Sequence, residues 1–161
     1  PRRPLVVFTP KAMLRLRDAT SPVEDFTSGR FQPVIDDRQV QDAGAVTRVL
    51  LHSGKVHYDL KAELAKRGRT DIALVRVEQL YPLPIDEINA TVDRYPNASL
   101  VWVQEEPLNQ GAWPFMHLAL PRHLHGRTLK VVGRAPAASP ATGSAKRSAQ
   151  ELSAILESAL G

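Results

Sequence analysis

The chain has 161 residues, a formal net charge of +4 and no cysteine. This length suits one domain with a single core and is too short for a large enzyme's catalytic portion together with its regulatory parts. The absence of cysteine excludes disulfide bonds and thiolate metal sites, and no apolar run approaches the roughly 20 residues that span a bilayer. We therefore predict a soluble, cytoplasmic domain. Because the chain begins at Pro1 rather than Met, we expect a piece of a longer polypeptide.

The first 45 residues have an irregular pattern. The apolar run Leu5–Phe8 predicts a short strand, Lys11–Arg17 predicts a helical turn, and Phe31–Ile35 is the only later stretch expected to extend. Residues 1–17 are therefore interpreted as a connector and first strand from a preceding domain. Residues 18–45 are interpreted as a long connecting segment that contacts with a larger enzyme keep ordered, since structureless loops of that length are uncommon.

Basic residues are concentrated near the start of the chain, with no acid before Asp18; they are Arg2, Arg3, Lys11, Arg15 and Arg17. Such a cluster suits a solvated or interdomain face, or a phosphate-bearing ligand. Nucleic acid is the least favoured partner, because no aromatic residues alternate with the basic ones to stack on bases.

From residue 46 onward, strands and helices alternate. Apolar runs predict four strands, at 46–52, 72–77, 99–103 and 129–132. Helices are predicted after the turn at Ser53-Gly54, at 85–95, as an interrupted stretch at 111–124 and from about Arg147. This alternation predicts an α/β fold, a mostly parallel sheet flanked by helices in three layers, with 46–161 as the α/β domain.

Ser53-Gly54-Lys55 follows the first of these strands. A helix that begins after such a turn offers backbone amides to an anion. The G-x-x-x-x-G-K-[ST] and G-x-G-x-x-G patterns are both missing, however. The favoured interpretation is a structural turn in which Ser53 caps the helix and Lys55 lies in water; an anion site or a domain contact is the alternative.

Glu105 and Glu106 follow the third strand, where open α/β sheets place ligands. Neighbours in an extended segment point to opposite faces, which argues against a joint acid–base pair. A structural or interface role is favoured, with ligand binding and catalysis as alternatives. An inward-facing Glu105 needs a partner, which an adjacent chain can supply. Asn109, Gln110 and Gly111 are expected to shape the loop.

The histidines are expected at the surface; they are His52, His57, His117, His123 and His125. His123 and His125 have a spacing that suits a metal, but no carboxylate lies near them in the sequence, so no metal site is predicted. No Ser-His-Asp set accompanies a nucleophile-elbow motif, and no catalytic residue is assigned.

The segment APAASPATG (135–143) resembles a linker in composition, but its two prolines limit its freedom. Gly143-Ser144 is expected to open the last helix. We favour an ordered loop that packs against another domain or subunit, with a flexible linker as the alternative.

Five separated stretches together resemble one family. They are LVVFTPKAMLR (5–15), LHSGKVHYDL (51–60), VRVEQLYPLP (75–84), WVQEEPLNQGAW (102–113) and GRAPAASPATGSAK (133–146). In order and spacing they are similar to the C-terminal domain of the decarboxylating component of 2-oxoglutarate dehydrogenase, which is transketolase-like. DFTSGRFQPVIDD (25–37) resembles most the actinobacterial branch of multifunctional 2-oxoglutarate decarboxylases.

The resemblance implies a thiamine-diphosphate-dependent enzyme of the tricarboxylic acid cycle. It implies a homodimer, preceding thiamine-binding domains, and a dihydrolipoyl acyltransferase component or a fused acyltransferase domain as partners. The family binds thiamine diphosphate and Mg²⁺ through a Gly-Asp-Gly segment, which this chain lacks. The cofactor is therefore expected mainly outside this chain, and the isolated domain is expected to be inactive.

The resemblance also implies a regulatory nucleotide, AMP or acetyl-CoA. Arg15, Arg30 and Gln79 are the positions that align with the family's effector site, where arginines hold phosphates and an amide binds the polar portion. Ile85-Asp86-Glu87 stands where some actinobacterial relatives carry consecutive arginines, and its acids would repel phosphate. The alternative is that these arginines pair with acids across domain boundaries.

Two other functions are compatible with the sequence. One is a stand-alone nucleotide- or acyl-CoA-binding regulatory module. The other is the equivalent domain of another transketolase-like enzyme, which the wording of SGKVHYDL and QEEPLNQGAW disfavours.

Overall fold

The computed structural model describes residues 3–4 and 6–161 and divides the chain into two compact units, 1–31 and 32–161. The first unit contains 3₁₀ helices at Lys11–Arg15 and Arg17–Ala19 and a short helix α1, Val23–Thr27. The helical turn predicted at Lys11–Arg17 is confirmed. Helix α1 was not predicted; its acidic first turn, with Glu24 and Asp25, suits a helix N-terminus.

The strand predicted at Leu5–Phe8 is not formed at Val6, Val7 and Phe8, while Leu5 lies outside the described residues. These three side chains are between 71% and 96% exposed. An apolar run becomes a strand only where a neighbouring strand takes its backbone hydrogen bonds. The prediction was wrong because the sequence pattern reports apolar character and not the presence of a partner.

The second unit is built on a five-stranded sheet. Its strands are β1 (Val34–Ile35), β2 (Arg48–His52), β3 (Ile72–Val77), β4 (Ser99–Pro107) and β5 (Leu129–Arg134). The strand order is β1-β3-β2-β4-β5, with β1 antiparallel to β3 and the other neighbours parallel. The predicted mostly parallel α/β sheet is confirmed. Strand β4 continues four residues beyond its predicted end, because its last residue, Pro107, lies opposite Arg134 of β5.

Helices cover both faces of this sheet. They are α2 (Val56–Arg67), α3 (Ile85–Val92), α4 (Trp113–Ala119) and α5 (Ala145–Leu160). Residues of β2 alternate between the faces: Leu50 packs with α2 and α5, and Leu51 packs with α3 and α4. The result is the predicted arrangement of three layers. In the part of the chain that the structure describes, no helix is long and apolar enough to cross a bilayer.

Arginines fasten the end of α5 to the sheet. Arg48 Nη1 donates to the carbonyl of Ala159 at 2.6 Å, and Arg69 Nη1 donates to that of Leu160 at 2.9 Å. The last carbonyls of a helix have no partner within it, and a cation there opposes the negative end of the helix dipole. Each such contact typically contributes about 0.3–1 kcal/mol. The C-terminal helix is thus held by charge as well as by its apolar stripe.

Candidate functional site at the carboxyl edge of the sheet

Strand β2 lies at the centre of the sheet, where the winding direction reverses. The chain leaves β2 for β3 on one side, and β4 and β5 then occupy the other side. The carboxyl ends of β2 and β4 therefore border a topological switch point, the usual ligand crevice of open α/β sheets. We call the cleft above these ends the switch-point cleft. It measures about 380 Å³, and its polar lining includes Lys55, Glu105, Glu106, Arg134, Thr142 and Glu151.

Lys55 lines the switch-point cleft and lies between two carboxylates. Its Nζ lies 2.7 Å from Asp59 Oδ2 and 3.0 Å from Glu105 Oε1. Burial works to lower the pKa of Lys55, but the hydrogen bonds to Asp59 and then Glu105 outweigh it, so the pKa is raised. Lys55 is therefore a cation at neutral pH. The partner that an inward-facing Glu105 was expected to need is Lys55 of the same chain.

The turn before α2 is formed as predicted, but its side chains do not have the roles that the sequence predicted for them. Gly54 has φ +74°, a left-handed conformation that glycine adopts without steric cost. Lys55, not Ser53, stands at the N-cap of α2, and no side chain caps the helix there. The predictions that Ser53 caps α2 and that Lys55 lies in water were wrong, since sequence proximity does not reveal Glu105 across the cleft.

Glu105 and Glu106 diverge as an extended segment requires. Glu105 is half-buried against Lys55, whereas Glu106 is exposed and lies over the turn at Gly111. A Cβ on Gly111 would come within 3.0 Å of the Glu106 side chain, and φ there is +66°. Glycine at this position therefore allows both the turn and the close approach of Glu106.

Gln104 organises the loop that follows β4, and its importance was missed in the sequence. Its Oε1 accepts from Trp102 Nε1 at 3.1 Å and from the backbone N–H of Trp113 at 2.8 Å. Its Nε2 donates to the carbonyls of Pro107 at 3.1 Å and Gln110 at 2.8 Å. Gln104 is buried, so these bonds replace water. The available sequence signal was an amide at an inward position of an apolar strand.

Side chains from other parts of the same chain hold the loop 135–143 in place. Asn109 exchanges two hydrogen bonds with the backbone of Ala137, each 3.0 Å long, and Gln110 Nε2 donates to the same carbonyl at 2.8 Å. Arg134 Nη1 donates to Thr142 Oγ1 at 2.9 Å and to Glu151 at 3.2 Å. These contacts close one side of the switch-point cleft.

The charges that line the switch-point cleft are mostly satisfied by one another. Arg134 also donates to the carbonyl of Glu105 at 2.7 Å. Its guanidinium is therefore hydrogen-bonded to several groups at once. Hydrogen bonds from Thr142, then Arg147 and Arg134, hold the pKa of Glu151 below its usual value. Two cations face three carboxylates among the lining residues named above, so the cleft does not favour a phosphate. The charged side chains of the cleft are therefore mainly paired with one another.

Two histidines form a pair at the end of β2, contrary to the expectation that the histidines lie at the surface. His52 is fully buried, and its Nε2 lies 3.0 Å from His57 Nδ1. Burial lowers the pKa of His52 to about 3, with a smaller opposing effect from its hydrogen bond to the Leu50 carbonyl. Sequence periodicity did not reveal this pair because His52 occupies an otherwise apolar strand position.

A carboxylate that is distant in the sequence lies near His123 and His125 in the folded chain. His125 Nδ1 lies 4.0 Å from Asp93 Oδ2, and His123 Nε2 accepts from Arg122 Nε at 3.1 Å. Within the described residues, no group of three or more His, Cys, Asp or Glu side chains is arranged to hold a metal ion.

The effector-site candidates belong to different units. Arg15 ends the first 3₁₀ helix and Arg30 follows α1, and both are exposed. Gln79 follows β3 in the second unit, where its Nε2 donates to the Pro82 carbonyl at 2.6 Å. This bond holds the turn before α3, so an effector that uses the Gln79 amide must compete with it.

The fold and site define a three-layer α/β domain with a self-paired cleft at its switch point. A family model described as 2-oxoglutarate dehydrogenase C-terminal matches residues 20–160. The chain is also 46% identical over 165 residues to a multifunctional 2-oxoglutarate metabolism enzyme of Mycobacterium sp. (strain JLS), covering 98% of this chain. A protein of the same description from Mycolicibacterium vanbaalenii is 45% identical over 166 residues, covering 99% of this chain.

The chain therefore belongs to the family of 2-oxoglutarate dehydrogenase C-terminal domains, as its five motifs indicated. It spans 13% of the length of each of these two relatives.

Proposed function

We propose that this domain is a scaffold and regulatory element of a thiamine-diphosphate-dependent 2-oxoglutarate decarboxylating enzyme. The observation that carries the proposal is the self-paired switch-point cleft. Lys55, Glu105, Arg134 and Glu151 are bonded to one another at the place where this fold usually receives a ligand. A domain whose charged side chains pair with one another at that place contributes rigid surfaces and connections instead of the reaction centre.

Thiamine diphosphate and Mg²⁺ belong, in this proposal, to preceding domains. Carboxylates outnumber cations in the switch-point cleft, which disfavours the diphosphate. Among the described residues, no group of three or more His, Cys, Asp or Glu side chains is arranged to hold a metal ion. The bound cofactor supplies the nucleophilic carbon that decarboxylates 2-oxoglutarate. The enzyme works in the cytoplasm as a homodimer with a dihydrolipoyl acyltransferase component or a fused acyltransferase domain.

Domain deletion tests the scaffold role. We expect the full-length protein to decarboxylate 2-oxoglutarate as a dimer, the isolated domain to be inactive, and the protein without residues 32–161 to lose both dimer and activity. Light scattering and a carbon dioxide release assay measure these properties. A deletion protein that keeps both, or an isolated domain that turns over 2-oxoglutarate, would contradict the proposal.

Effector sensing is proposed at Arg15, Arg30 and Gln79. Two exposed guanidiniums provide charge-assisted hydrogen bonds for the phosphates of AMP or acetyl-CoA. Calorimetric titration of the full-length protein and its Arg15→Ala and Arg30→Ala variants tests this, with exposed Arg122→Ala as the matched control. Loss of binding in the two variants but not in the control is expected. Unchanged binding would indicate arginines that pair with acids across domain boundaries.

A stand-alone ligand-binding module is the second candidate, and a separate cavity favours it. This cavity measures about 410 Å³, within the range of small-molecule sites. Leu64, Ile72 and Leu74 give it an apolar lining, and Asp37 and Lys61 contribute polar groups. Saturable binding of acetyl-CoA or AMP to the isolated domain, weakened by a Leu64→Trp change that fills the cavity, would support this function over the scaffold role.

A further inference from the structure

A cavity beside β3 shares no lining residue with the switch-point cleft. Strand β1 pairs with β3 only at Arg76 and Val77, so no β1 residue covers the earlier part of that edge. Asp37 lies there instead, and its Oδ2 accepts from the N–H of Leu74 at 3.0 Å. The space of about 410 Å³ between the segment 37–45, α2 and β3 is called here the edge cavity.

The buried part of the edge-cavity lining is apolar. Leu64 of α2 and Ile72 and Leu74 of β3 line the cavity and are between 3% and 8% exposed. The two β3 residues point towards α2, since alternate residues of a strand share a face. These three side chains, called the apolar wall, are held in place by their own packing. An apolar group placed against them leaves water without any rearrangement of the core.

The carboxylates of the edge cavity hold the segment 37–45 in shape. Asp37 accepts from the N–H groups of Leu74 at 3.0 Å and Gln39 at 2.9 Å. Asp42 Oδ1 accepts from the N–H of Gly44 at 2.9 Å. Both acids therefore already act as acceptors for the backbone, and a cationic ligand would have to compete with these bonds.

The cations of the edge cavity are engaged as well. Arg69 donates to both carboxylate oxygens of Asp71, at 2.6 and 2.9 Å, and to the carbonyl of Leu160 at 2.9 Å. Lys61 is not free either. The lining thus contains two carboxylates and two cations and has no excess charge of either sign. Burying an ionised ligand group here is unfavourable, because no added counter-charge compensates for its lost hydration.

The remaining polar groups of the lining are uncharged. Gln39, Gln41 and Thr70 are exposed, and together they are called the polar rim. Amide and hydroxyl side chains both donate and accept hydrogen bonds. The polar rim therefore suits a ligand group that also does both, such as an amide or a hydroxyl.

We propose that the edge cavity binds an uncharged small molecule with an apolar body and an amide or hydroxyl group. The body lies against the apolar wall, and the polar group bonds to the polar rim. The cavity volume is within the range of small-molecule sites. This inference rests on the second candidate function, whose cavity it uses, and it names the class of ligand.

A charge series of one probe tests the proposal on the full-length protein. 2-Naphthamide, 2-naphthoate and 2-naphthamidine have nearly the same shape but are neutral, anionic and cationic, respectively. Fluorescence titration measures the three dissociation constants. We expect saturable binding of 2-naphthamide and binding about tenfold weaker, or more, for both ions, because a buried charge without a counter-charge is costly.

Two alanines of α2 provide matched variants that locate the binding site. Ala65 lines the edge cavity and Ala62 does not, and both are exposed, so a larger side chain at either position leaves the core intact. Ala65→Phe should weaken 2-naphthamide binding about tenfold or more by occupying the cavity. Ala62→Phe should leave the dissociation constant unchanged.

Methyl NMR of the unsubstituted protein gives a second readout, which decides the question if Ala65→Phe does not fold. Ile72 lies in the apolar wall, and Ile88 lies on the opposite face of the sheet. Addition of 2-naphthamide should shift the methyl resonances of Ile72 and leave those of Ile88 in place. Ile72→Val and Ile88→Val assign the two sets of signals.

Several results would overturn the proposal: no saturable binding of 2-naphthamide, equal affinity for either ion, unchanged binding in Ala65→Phe, or an unshifted Ile72 methyl. Displacement of 2-naphthamide by AMP would contradict the uncharged class of ligand while supporting the second candidate function. The scaffold role is tested separately, because these titrations require neither 2-oxoglutarate turnover nor dimer formation.

Discussion

Lys55 and Glu105 join the start of α2 to the end of β4, with Nζ and Oε1 3.0 Å apart. The two residues are 50 positions apart in the sequence, and Lys55 also holds Asp59 one helical turn away. Both residues line the switch-point cleft. Their contact shows how a fold with a ready ligand crevice can use that crevice for its own cohesion.

Removing Lys55 should destabilise the domain modestly. Lys55→Met leaves Glu105 and Asp59 without their shared cation, but the side chains of Lys55 and Glu105 are 30% and 37% exposed, so solvent screens the loss. We expect a decrease of about 0.5–1 kcal/mol in the free energy of unfolding. Urea denaturation measures it, with 76%-exposed Lys66→Met as the control. A double-mutant cycle with Glu105→Gln that shows no coupling would refute the attribution.

Replacing Gln104 should have a much larger effect. Gln104→Leu leaves the Trp102 indole N–H and the carbonyls of Pro107 and Gln110 without their partner in a buried site. We expect a loss of about 2–4 kcal/mol, because several polar groups lose their hydrogen bonds at once. Tryptophan fluorescence during denaturation reports it, since the chain's two tryptophans, Trp102 and Trp113, both bond to this amide.

Gln104→Glu provides the matched comparison. Its carboxylate can still accept from the two tryptophans, but its second oxygen would face carbonyl oxygens instead of donating to them. Destabilisation should therefore persist and should increase with pH as the carboxyl ionises. Wild-type stability in this variant would show that the donor half of the amide is unimportant.

Two glycines in left-handed turns should respond differently to alanine. Gly54 and Gly111 have φ of +74° and +66°, but only Gly111 faces an obstruction, the Glu106 side chain at 3.0 Å. Gly54→Ala should cost about 1 kcal/mol from backbone strain alone, and Gly111→Ala should cost more. Adding Glu106→Ala to Gly111→Ala should restore only the part of the lost stability that comes from the steric clash with the Glu106 side chain. Equal costs measured by thermal denaturation for the two single changes would contradict this account.

Acid should destabilise the domain through His52. Its pKa is about 3 in the folded protein and 6.5 as the reference value, so the unfolded chain binds the proton more tightly. The stabilisation is fully present above about pH 6.5 and is lost as the pH falls towards 3, a change on the order of a few kcal/mol. Urea midpoints at a series of pH values measure it. His52→Asn should be less stable at neutral pH and should show a flatter acid slope, and an unchanged slope would exclude His52 as the cause.

Much of the fold could be predicted from local pattern. Strand β3 was predicted with its observed bounds, and Val56, Leu60 and Leu64 indicated the buried face of α2, which ends before the left-handed Gly68. Gly143-Ser144 was expected to open α5, and Ser144 Oγ accepts from the Arg147 N–H at 3.4 Å. Such features succeed because alternation, helical spacing and caps are properties of neighbouring residues.

Features that need a distant partner were not predictable. The apolar run at Val6–Phe8 forms no strand, and β4 extends to Pro107 opposite Arg134. The same reasoning explains why the sequence could identify Glu105 as a residue that needs a partner but could not name Lys55.

By itself, the sequence determined the family, the α/β class, the principal elements of 46–161 and the divergence of Glu105 from Glu106. Only the tertiary structure decided that Lys55 satisfies Glu105, that Gln104 organises the loop after β4, and that His52 is buried against His57. The physical reason is that periodicity records which residues prefer burial or a helix. Partners, burial and the resulting pKa values depend on which distant segments the folded chain brings within hydrogen-bond reach.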